Sequence, residues 1–409
     1  MVCKRENCLF VSLVLLLSFS KTLKHMFALG FFFFNYILVG VRKLNDADYM
    51  RLAIDLARAT KGQTAPNPVV GAVVVKNRQI VGMGAHLKAG EPHAEVHAIQ
   101  MAGEKANGAT LYVTLEPCSH YGKTPPCSTL VISSRIKKVF VATTDPNPQV
   151  AGAGIERMRH AGIEVEVGLL AKEARELNKV FFHHIQTGLP YVTLKSAASL
   201  DGKIATATGE SKWITSEVAR RDVHQLRHQH DAILVGVNTV LKDDPSLTTR
   251  LAGGGKNPIR VILDTNLRTP LNAKVVQDQQ APTWIVTGSD TLNERQLLFE
   301  QTGVKIIKMP NQQIILNEIL PMLGELGVTS VLVEGGAEVN GSFLKEQAFQ
   351  QLIVYIGAKL IGGRNAPTAF AGEGIGKIAD AVPLKITSVE QIGGDLKIVA
   401  EPGVEEEGV

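Results

Sequence analysis

The chain has 409 residues, of which 45% are hydrophobic and 20% are charged. This length allows two or three domains, and the composition excludes a disordered or fibrous protein. The net charge of +4 comes from residues 1–44, because the rest of the chain has 37 basic and 38 acidic residues. This near-balance argues against a large nucleic-acid-binding surface. Four cysteines are too few for a disulfide scaffold, and the pair beyond residue 44, Cys118 and Cys127, favours a reducing compartment and a metal.

Residues 1–44 are an apolar leader with two hydrophobic runs, 9–19 and 26–41. Lys4 and Arg5 provide the basic start of a signal peptide, but no clear small-x-small cleavage site follows. Each run is shorter than the ~20 apolar residues that span a bilayer comfortably. Two interpretations stay open, a start codon assigned too far upstream and a membrane or signal segment, and membrane association is not the favoured one.

The segment 45–188 is predicted to be the first folded domain, because helix-like and strand-like patterns alternate along it. Two strands in 66–86 are joined by a turn at Lys76–Arg78, and residues 171–188 have the spacing of one helix that ends near Gly188. The other helices are predicted in 48–60, 94–103 and 154–162, and the other strands in 109–115, 137–145 and 163–170.

The alternation begins again at Leu189, and the segment 189–409 is predicted to be a second domain. Alternating helices and strands imply sheets layered with helices, so both domains are expected to be α/β. The last residues, 405–409, are expected to be a frayed acidic terminus. After the strand that opens this domain, strands are predicted in 231–237, 259–264, 283–288, 304–309, 329–336 and 351–362.

A group of potential metal ligands marks the first domain. Pro92 favours a helix start at His93, and at a helix start His93 and Glu95 can both reach around the helix end. One imidazole and the thiolates of Cys118 and Cys127 would leave the fourth tetrahedral zinc position to water, as in catalytic sites. Zinc lowers the pKa of bound water to about 7, and Glu95, which is not a ligand, can then carry the proton to a departing amine.

Each of these residues alone has an ordinary structural interpretation, His93 as a core histidine and the cysteines as small buried hydrophobes. The ordered set H-x-E, P-C and C is much less expected by chance, and it resembles the zinc-deaminase signature. The spacing departs from P-C-x-x-C, because eight residues separate Cys118 from Cys127. That gap argues against a deaminase of nucleic acids or free nucleosides.

The segments TAPNPVVGAVVV, HAEVHA, TLEPCSHYGKTPPC and DPNPQVAGAGI are closely similar to the deaminase half of the bifunctional riboflavin-biosynthesis deaminase/reductase family, over about residues 46–190. The resemblance implies that His93, Cys118 and Cys127 bind zinc and that Glu95 is the proton shuttle. It also implies a cytidine-deaminase-like three-layer α/β/α domain followed by a dihydrofolate-reductase-like α/β domain that uses NADPH.

Four more polar residues lie near this set in sequence. Asn67, between two prolines, is interpreted either as a substrate contact or as a turn residue. His86, His97 and His120 are expected to pack or to form hydrogen bonds around the site and not to bind the metal.

The second domain lacks a G-x-G-x-x-G after its first strand, so the Rossmann fingerprint is missing. VLVEGGAEVNGSFL places a glycine pair between a strand and a helix, where amides can approach a phosphate, although such glycines are also ordinary turns. LKSAASLDGKIATATGESKWITS resembles the opening of the family's reductase half. The resemblance implies cofactor contacts at Ala197, Trp213, Thr239, Asp243, Thr265, Gly336, Ala337, Glu338, Val339, Asn340, Gly341 and Ser342. It implies substrate contacts at Ser211, Arg227, Leu247, Arg250 and Glu334.

The general acid of the reduction is not determined by these patterns. Arginine suits a phosphorylated substrate, but Arg227 would otherwise be a solvated helix charge like Arg220 and Arg221. Lys195 and Asp201 lie near a strand end and are candidates for proton handling, with a surface or capping role as the alternative.

We therefore expect a bifunctional enzyme of riboflavin biosynthesis, a hydrolase and an oxidoreductase. It would deaminate 2,5-diamino-6-ribosylamino-4(3H)-pyrimidinone 5′-phosphate and then reduce the ribosyl group with NADPH, giving 5-amino-6-ribitylamino-uracil 5′-phosphate. The expected partners are this small molecule and further copies of the chain, without nucleic acid, in the cytoplasm. The alternatives are a nucleobase or tRNA deaminase, and a nucleotide-binding module with a closed structural zinc, which needs a fourth ligand such as His120.

Overall fold

The structure, a computed structural model, describes residues 43–120, 125–147 and 151–403. Almost all of the predicted leader and the acidic tail 405–409 lie outside these ranges. Within them, no helix has the length and apolar character needed to span a membrane. The chain from Tyr49 to Val409 forms one compact unit with two β-sheets, and the alternating helices and strands confirm the α/β prediction.

The first sheet has five strands in the order β2-β1-β3-β4-β5, antiparallel from β2 to β3 and parallel from β3 to β5. Its elements are α1 Asp46–Arg58, β1 Gly71–Lys76, β2 Gln79–Ala85, α2 Ala94–Ala102, β3 Thr110–Val113, α3 Cys127–Ser133, β4 Lys138–Val141, α4 Ala153–His160, β5 Glu164–Val167, α5 Ala171–Leu177 and α6 Lys179–Thr187.

Local chemistry explains the hairpin that opens this sheet. Asn77 and Arg78 have φ values of 50° and 64°, the left-handed conformation of a tight two-residue turn, so the predicted turn is confirmed. β1 is buried on both faces because helices cover it, and a Cβ on Gly71 would lie 1.9 Å from the carbonyl oxygen of Ala53. Only glycine permits helix α1 to approach the strand this closely.

The single helix predicted for 171–188 is two helices that meet at Asn178. The Asn178 side chain accepts a hydrogen bond from Val69 N and donates one to Val69 O, both at 2.9 Å. It therefore pairs with the segment before β1 as a neighbouring strand would, which periodicity cannot predict. The helix does end at Gly188 as predicted, since this glycine takes a left-handed φ of 72°.

The second sheet has nine strands in the order β10-β9-β8-β7-β11-β6-β12-β14-β13. It is parallel from β10 to β12, and β14 and β13 are antiparallel. Its elements are β6 Tyr191–Ser199, α7 Glu217–Gln229, β7 Ala232–Gly236, α8 Val237–Asp243, β8 Ile259–Leu263, α9 Lys274–Gln277, β9 Thr283–Thr287, α10 Asn293–Glu300, β10 Lys305–Lys308, α11 Leu316–Glu325, β11 Ser330–Val333, α12 Ala337–Lys345, β12 Gln351–Gly357, β13 Leu384–Ile392 and β14 Asp395–Pro402.

The order of this sheet positions a ligand site. The chain leaves β6, builds the sheet outward from β7 to β10, and then returns to place β11 between β7 and β6. Adjacent connections therefore leave the sheet in different directions at the carboxyl ends of β7, β11 and β6, where open α/β sheets bind their ligands. The terminal hairpin of β13 and β14 was not predicted, because β13 is exposed along its length and carries no buried alternating pattern.

Candidate active sites

Three elements bring the predicted metal ligands together. His93 is the N-cap of α2, Cys118 follows β3, and Cys127 is the first residue of α3. His93 Nδ1 lies 3.7 Å from Cys118 Sγ and 3.3 Å from Cys127 Sγ, and all three ligand atoms lie within 4.8 Å of one another. Helix starts at His93 and Cys127 thus direct both side chains to one point.

These distances fit a tetrahedral zinc ion. Zinc binds nitrogen at about 2.0 Å and sulfur at about 2.3 Å, so two such ligands at the tetrahedral angle lie about 3.5 to 3.8 Å apart. Among the described residues this is the one group of three or more such side chains, and His120, the suggested fourth ligand, is exposed and outside it. Three ligands leave a coordination position for water, which favours a catalytic site over a closed structural one.

Glu95 faces this cluster from the first turn of α2. Its side chain is buried, and burial raises the pKa of Glu95 to about 7. Its Oε2 atom is buried without a hydrogen-bond partner among the described residues. A buried carboxyl oxygen needs a partner, so its orientation fits a water molecule held at the open metal position.

The two thiol side chains lie close enough to shift each other's pKa. The Cys127 thiol lowers the pKa of Cys118 to about 4, and the same contact raises the pKa of Cys127. The backbone N–H of Cys127 also donates to Cys118 Sγ at 3.2 Å. A divalent cation would hold both groups as thiolates, which suits this donor set.

Two of the additional polar residues form a chain beside the cluster. Asn67 Nδ2 donates to His86 Nε2 at 3.1 Å, and His86 Nδ1 donates to Pro92 O at 3.2 Å. The His86 ring meets the His93 ring edge-on, with centroids 5.2 Å apart. His86 therefore packs against the potential ligand His93, as predicted. The Nε2 atom of His97 is buried without a partner among the described residues.

The second candidate site is a cavity of about 1020 Å³ at the carboxyl ends of β6, β7 and β11. Two helices start at its wall: α8 follows Gly236 directly, and α12 follows Gly336. The first N–H groups of a helix have no partner within it and favour anions. A Cβ on Gly336 would meet nothing closer than Thr239 Oγ1 at 4.0 Å, so the glycine leaves open space beside these amides.

A buried ionic group forms one end of this cavity. Arg227 Nε and Nη2 donate to the two carboxylate oxygens of Glu334 at 2.7 and 3.0 Å, and Arg227 Nη1 donates to Thr248 O at 3.0 Å. Lys195 Nζ lies 3.8 Å from Glu334 Oε2. Burial opposes ionisation of Glu334, but Arg227 and Lys195 outweigh it and lower its pKa to about 2. Burial also lowers the pKa of Lys195.

The structure brings eleven of the seventeen residues predicted for the reductase half to the cavity wall. They are Ala197, Ser211, Trp213, Thr239, Asp243, Glu334, Gly336, Ala337, Glu338, Val339 and Asn340. The other six, Arg227, Leu247, Arg250, Thr265, Gly341 and Ser342, are not part of this wall.

Several of these six make contacts with other parts of the protein. Arg227 reaches the cavity indirectly, through Glu334. Leu247 is buried in the core beside α8. A Cβ on Gly341 would lie 1.9 Å from the carbonyl oxygen of Ala371, so this glycine permits close packing of α12. Ser342 Oγ donates to Glu338 O at 3.1 Å within the same helix.

The two proton-handling candidates differ in position. Lys195 lines the cavity, whereas the Asp201 carboxylate accepts hydrogen bonds from Ser199 Oγ, Ile361 N and Gly362 N. Asp201 therefore stabilises a loop, the alternative considered for it above.

Sequence patterns also missed one side chain at the cavity. The Arg220 guanidinium lies 4.4 Å from the centroid of Trp213, which is 60% exposed, and both residues line the cavity. In the sequence, Arg220 resembles Arg221 and Arg227 as a charge on a predicted helix. Its spacing gives no reason to expect it, and not Arg221, at the cavity.

Comparisons with known proteins match both halves. The cytidine and deoxycytidylate deaminase zinc-binding region matches residues 43–143, and the RibD C-terminal domain matches residues 190–398. The riboflavin biosynthesis protein RibD of Bacillus amyloliquefaciens is 57% identical over 356 residues, which cover 87% of this chain and 95% of that protein.

Two solved structures are similar over the same range. RibD of Acinetobacter baumannii has a TM-score of 0.80 and 40% identity, covering 88% of this chain and 99% of that one. A deaminase/reductase of Thermotoga maritima has a TM-score of 0.78 and 38% identity, covering 87% and 98%. These matches confirm a cytidine-deaminase-like domain followed by a RibD reductase domain. The chain therefore belongs to the RibD family of bifunctional riboflavin-biosynthesis enzymes, which combine a zinc-binding deaminase domain with a reductase domain.

Proposed function

We propose that this chain deaminates 2,5-diamino-6-ribosylamino-4(3H)-pyrimidinone 5′-phosphate and then reduces the ribosyl group of the product with NADPH, giving 5-amino-6-ribitylamino-uracil 5′-phosphate. The similar Thermotoga maritima protein is a diaminohydroxyphosphoribosylaminopyrimidine deaminase and 5-amino-6-(5-phosphoribosylamino)uracil reductase, which supports this substrate. The observation that carries the proposal is the Glu95 carboxylate oxygen that is buried, without a partner among the described residues, beside the cluster of His93, Cys118 and Cys127.

In the deaminase site, His93, Cys118 and Cys127 would hold zinc. When bound, zinc lowers the pKa of a coordinated water to about 7. Glu95 has a pKa of about 7 in its buried position, so it can both accept a proton at Oε2 and give it up. Its task is to take the proton of the attacking water and deliver it to the departing amine, which leaves as ammonia while a carbonyl forms on the ring.

Removal of the metal tests this half. Treatment with a zinc chelator should abolish ammonia release, and added zinc should restore it. NADPH oxidation on the already deaminated substrate provides the internal control, because the reductase cavity contains none of the three ligands. Ammonia release that survives complete loss of zinc would refute a zinc-dependent deaminase.

In the reductase cavity we propose that NADPH binds along α12 and α8. The glycine at 336 and the first backbone amides of α12 fit its phosphate groups, and Trp213 offers an exposed ring. NADPH supplies a hydride to the substrate when bound there, and the protein orients the two molecules. The proposed cofactor contacts are Ala197, Trp213, Thr239, Asp243, Thr265, Gly336, Ala337, Glu338, Val339, Asn340, Gly341 and Ser342.

The substrate would occupy the end of the cavity formed by Lys195 and Glu334. Lys195 is the side chain there that can hold and release a proton, because Glu334 is fixed as an anion by Arg227. We propose that the Lys195 ammonium donates the proton that the ribosyl oxygen needs as the hydride arrives at carbon. The proposed substrate contacts are Ser211, Arg227, Leu247, Arg250 and Glu334.

An absorbance assay tests this half. The protein is mixed with the deaminated intermediate and NADPH, and NADPH absorbance is followed. We expect oxidation that depends on the intermediate and is lost in Lys195→Met. A folded sample that shows no oxidation dependent on this substrate would refute the reductase assignment.

We further propose that the chain works in the cytoplasm as a homo-oligomer and without nucleic acid. The near-balance of 37 basic and 38 acidic residues beyond residue 44 supports the exclusion of nucleic acid. Free thiols at Cys118 and Cys127 suit a reducing compartment. The exposed strand β13 presents Ile386 and Val389, which are 60% and 58% exposed, and such a strand edge favours association. Light scattering of the purified protein measures its mass.

A further inference from the structure

The Lys195 side chain enters the reductase cavity from β6, and the neighbouring strand β12 supplies Tyr355 beside it. The two strands are parallel neighbours, and Lys195 pairs with Ile353, two residues before Tyr355. Residues two apart on a strand project from the same face, so the tyrosine ring lies beside the lysine side chain. Lys195 Nζ lies 6.0 Å from the centroid of the Tyr355 ring.

Contacts on the far side fix this ring in place. Tyr355 is completely buried, and its hydroxyl donates to Asp222 Oδ2 at 2.5 Å. Lys397 Nζ binds the same carboxylate oxygen at 2.7 Å and also lies 6.0 Å from the Tyr355 centroid. The ring thus lies beside two ion pairs, one of Lys397 with Asp222 and one of Lys195 with Glu334.

Glu334 alone does not hold Lys195 in one position. The distance of 3.8 Å from Lys195 Nζ to Glu334 Oε2 exceeds that of a hydrogen bond, and Arg227 already binds both oxygens of this carboxylate. The electron-rich face of a buried aromatic ring attracts an ammonium group within about 6 Å. The Tyr355 ring can therefore supply the second restraint that Glu334 lacks.

We propose that Tyr355 is a positioning residue of the reductase, whose ring holds the Lys195 ammonium group in the orientation needed for proton donation. This inference rests on the proposed role of Lys195. Its ring carries the effect, and the complete burial of the side chain keeps the ring in place, to which the bond from its hydroxyl to Asp222 adds. Tyr355 does not line the cavity, so its influence on the substrate acts through Lys195.

Substitution by leucine and by phenylalanine tests the proposal. Tyr355→Leu removes the ring and should lower the reductase kcat about tenfold at saturating NADPH, while the KM for the deaminated intermediate changes less than about twofold. Tyr355→Phe keeps the ring and should retain kcat within about threefold of the unmodified protein. Ammonia release in the same samples should stay unchanged.

A matched control separates positioning from loss of packing. Phe349 is 4% exposed and belongs to the core cluster on the other side of the sheet, so Phe349→Leu removes a buried ring away from Lys195. It should lower the melting temperature and leave the reductase kcat of the folded fraction unchanged. An unchanged kcat in folded Tyr355→Leu, or an equal loss in Tyr355→Phe or Phe349→Leu, would overturn the inference.

Lys195→Met distinguishes this inference from the function on which it rests. If Lys195→Met keeps full reductase activity, the role of Lys195 fails, and the inference fails with it. If Lys195→Met loses activity while Tyr355→Leu keeps it, only the positioning role of Tyr355 is wrong.

Discussion

The two sites use buried glutamates in opposite ways. Burial raises the pKa of Glu95 to about 7, and its Oε2 atom lacks a protein partner within the described ranges. Burial also opposes ionisation of Glu334, but Arg227 and Lys195 lower its pKa to about 2. Glu95 can therefore exchange a proton at neutral pH, whereas Glu334 remains an anion. Neighbouring charges, and not residue type, separate a proton carrier from a fixed charge.

The Arg227–Glu334 pair should be important for stability. Arg227→Met leaves the buried Glu334 carboxylate with the more distant Lys195, so the free energy of unfolding should fall by about 3 kcal/mol, measured by urea unfolding. Arg221→Met, which breaks the exposed pair with Glu217 on the same helix, is the control and should cost less than about 1 kcal/mol. Equal losses in the two variants would contradict this account.

His230 should make stability depend on pH. Burial lowers the pKa of His230 to about 4, while its Nδ1 bonds Leu226 O and its Nε2 bonds the Thr193 hydroxyl. The unfolded chain, with a histidine pKa of about 6.5, binds this proton first as pH falls. The contribution is therefore complete above pH 6.5 and is lost progressively towards pH 4.

Comparison of the unmodified protein with a His230→Gln variant isolates the contribution of this histidine to the pH dependence of stability. From pH 7 to pH 5 the unmodified protein should lose about 2 kcal/mol more unfolding free energy than His230→Gln. Urea titrations at the two pH values measure the difference. Identical pH dependence of the unfolding free energy in both proteins would show that the pKa of His230 does not differ between the folded and the unfolded state.

At the scale of elements, patterns with a regular period were predictable and irregular pairings were not. Buried strands such as β7, β8 and β11 appear in sequence as short apolar runs, and α2 begins where Pro92 indicated. The break at Asn178 depends on a hydrogen bond to a segment 109 residues away, and the exposed strand β13 has no apolar period. The zinc cluster followed from its motif, whereas the wall of the reductase cavity comes from separate loops that only the fold brings together.

Helix α12 allows two glycines to be compared. Gly336→Ala adds a methyl group to the open space near Thr239, so it should raise the KM for NADPH about tenfold and leave the melting temperature unchanged. Gly341→Ala places a Cβ against the carbonyl oxygen of Ala371 and should lower the unfolding free energy by about 2 kcal/mol. Steady-state kinetics and thermal melts measure both. Destabilisation by Gly336→Ala without a change in KM would contradict the proposed phosphate site.

At the scale of the whole molecule, two chemically separate sites share one compact unit. The potential zinc ligands converge on one point beside the first sheet, and the reductase cavity opens at strand ends of the second. Lys179 Nζ lies 2.7 Å from Glu401 Oε1, so a direct ion pair connects helix α6 to β14 of the second sheet. Because the two proposed sites share no residue, a substitution in one site should abolish its reaction and leave the other reaction intact.

The Glu95→Gln variant tests the central claim most directly, in an assay that follows ammonia release and then NADPH oxidation from the diaminopyrimidine substrate. The unmodified protein should show both in sequence. Glu95→Gln should keep its zinc, release no ammonia and oxidise no NADPH, yet oxidise NADPH normally when given the deaminated intermediate. Ammonia release by zinc-loaded Glu95→Gln at the unmodified rate, or loss of both activities in a folded variant, would contradict the account.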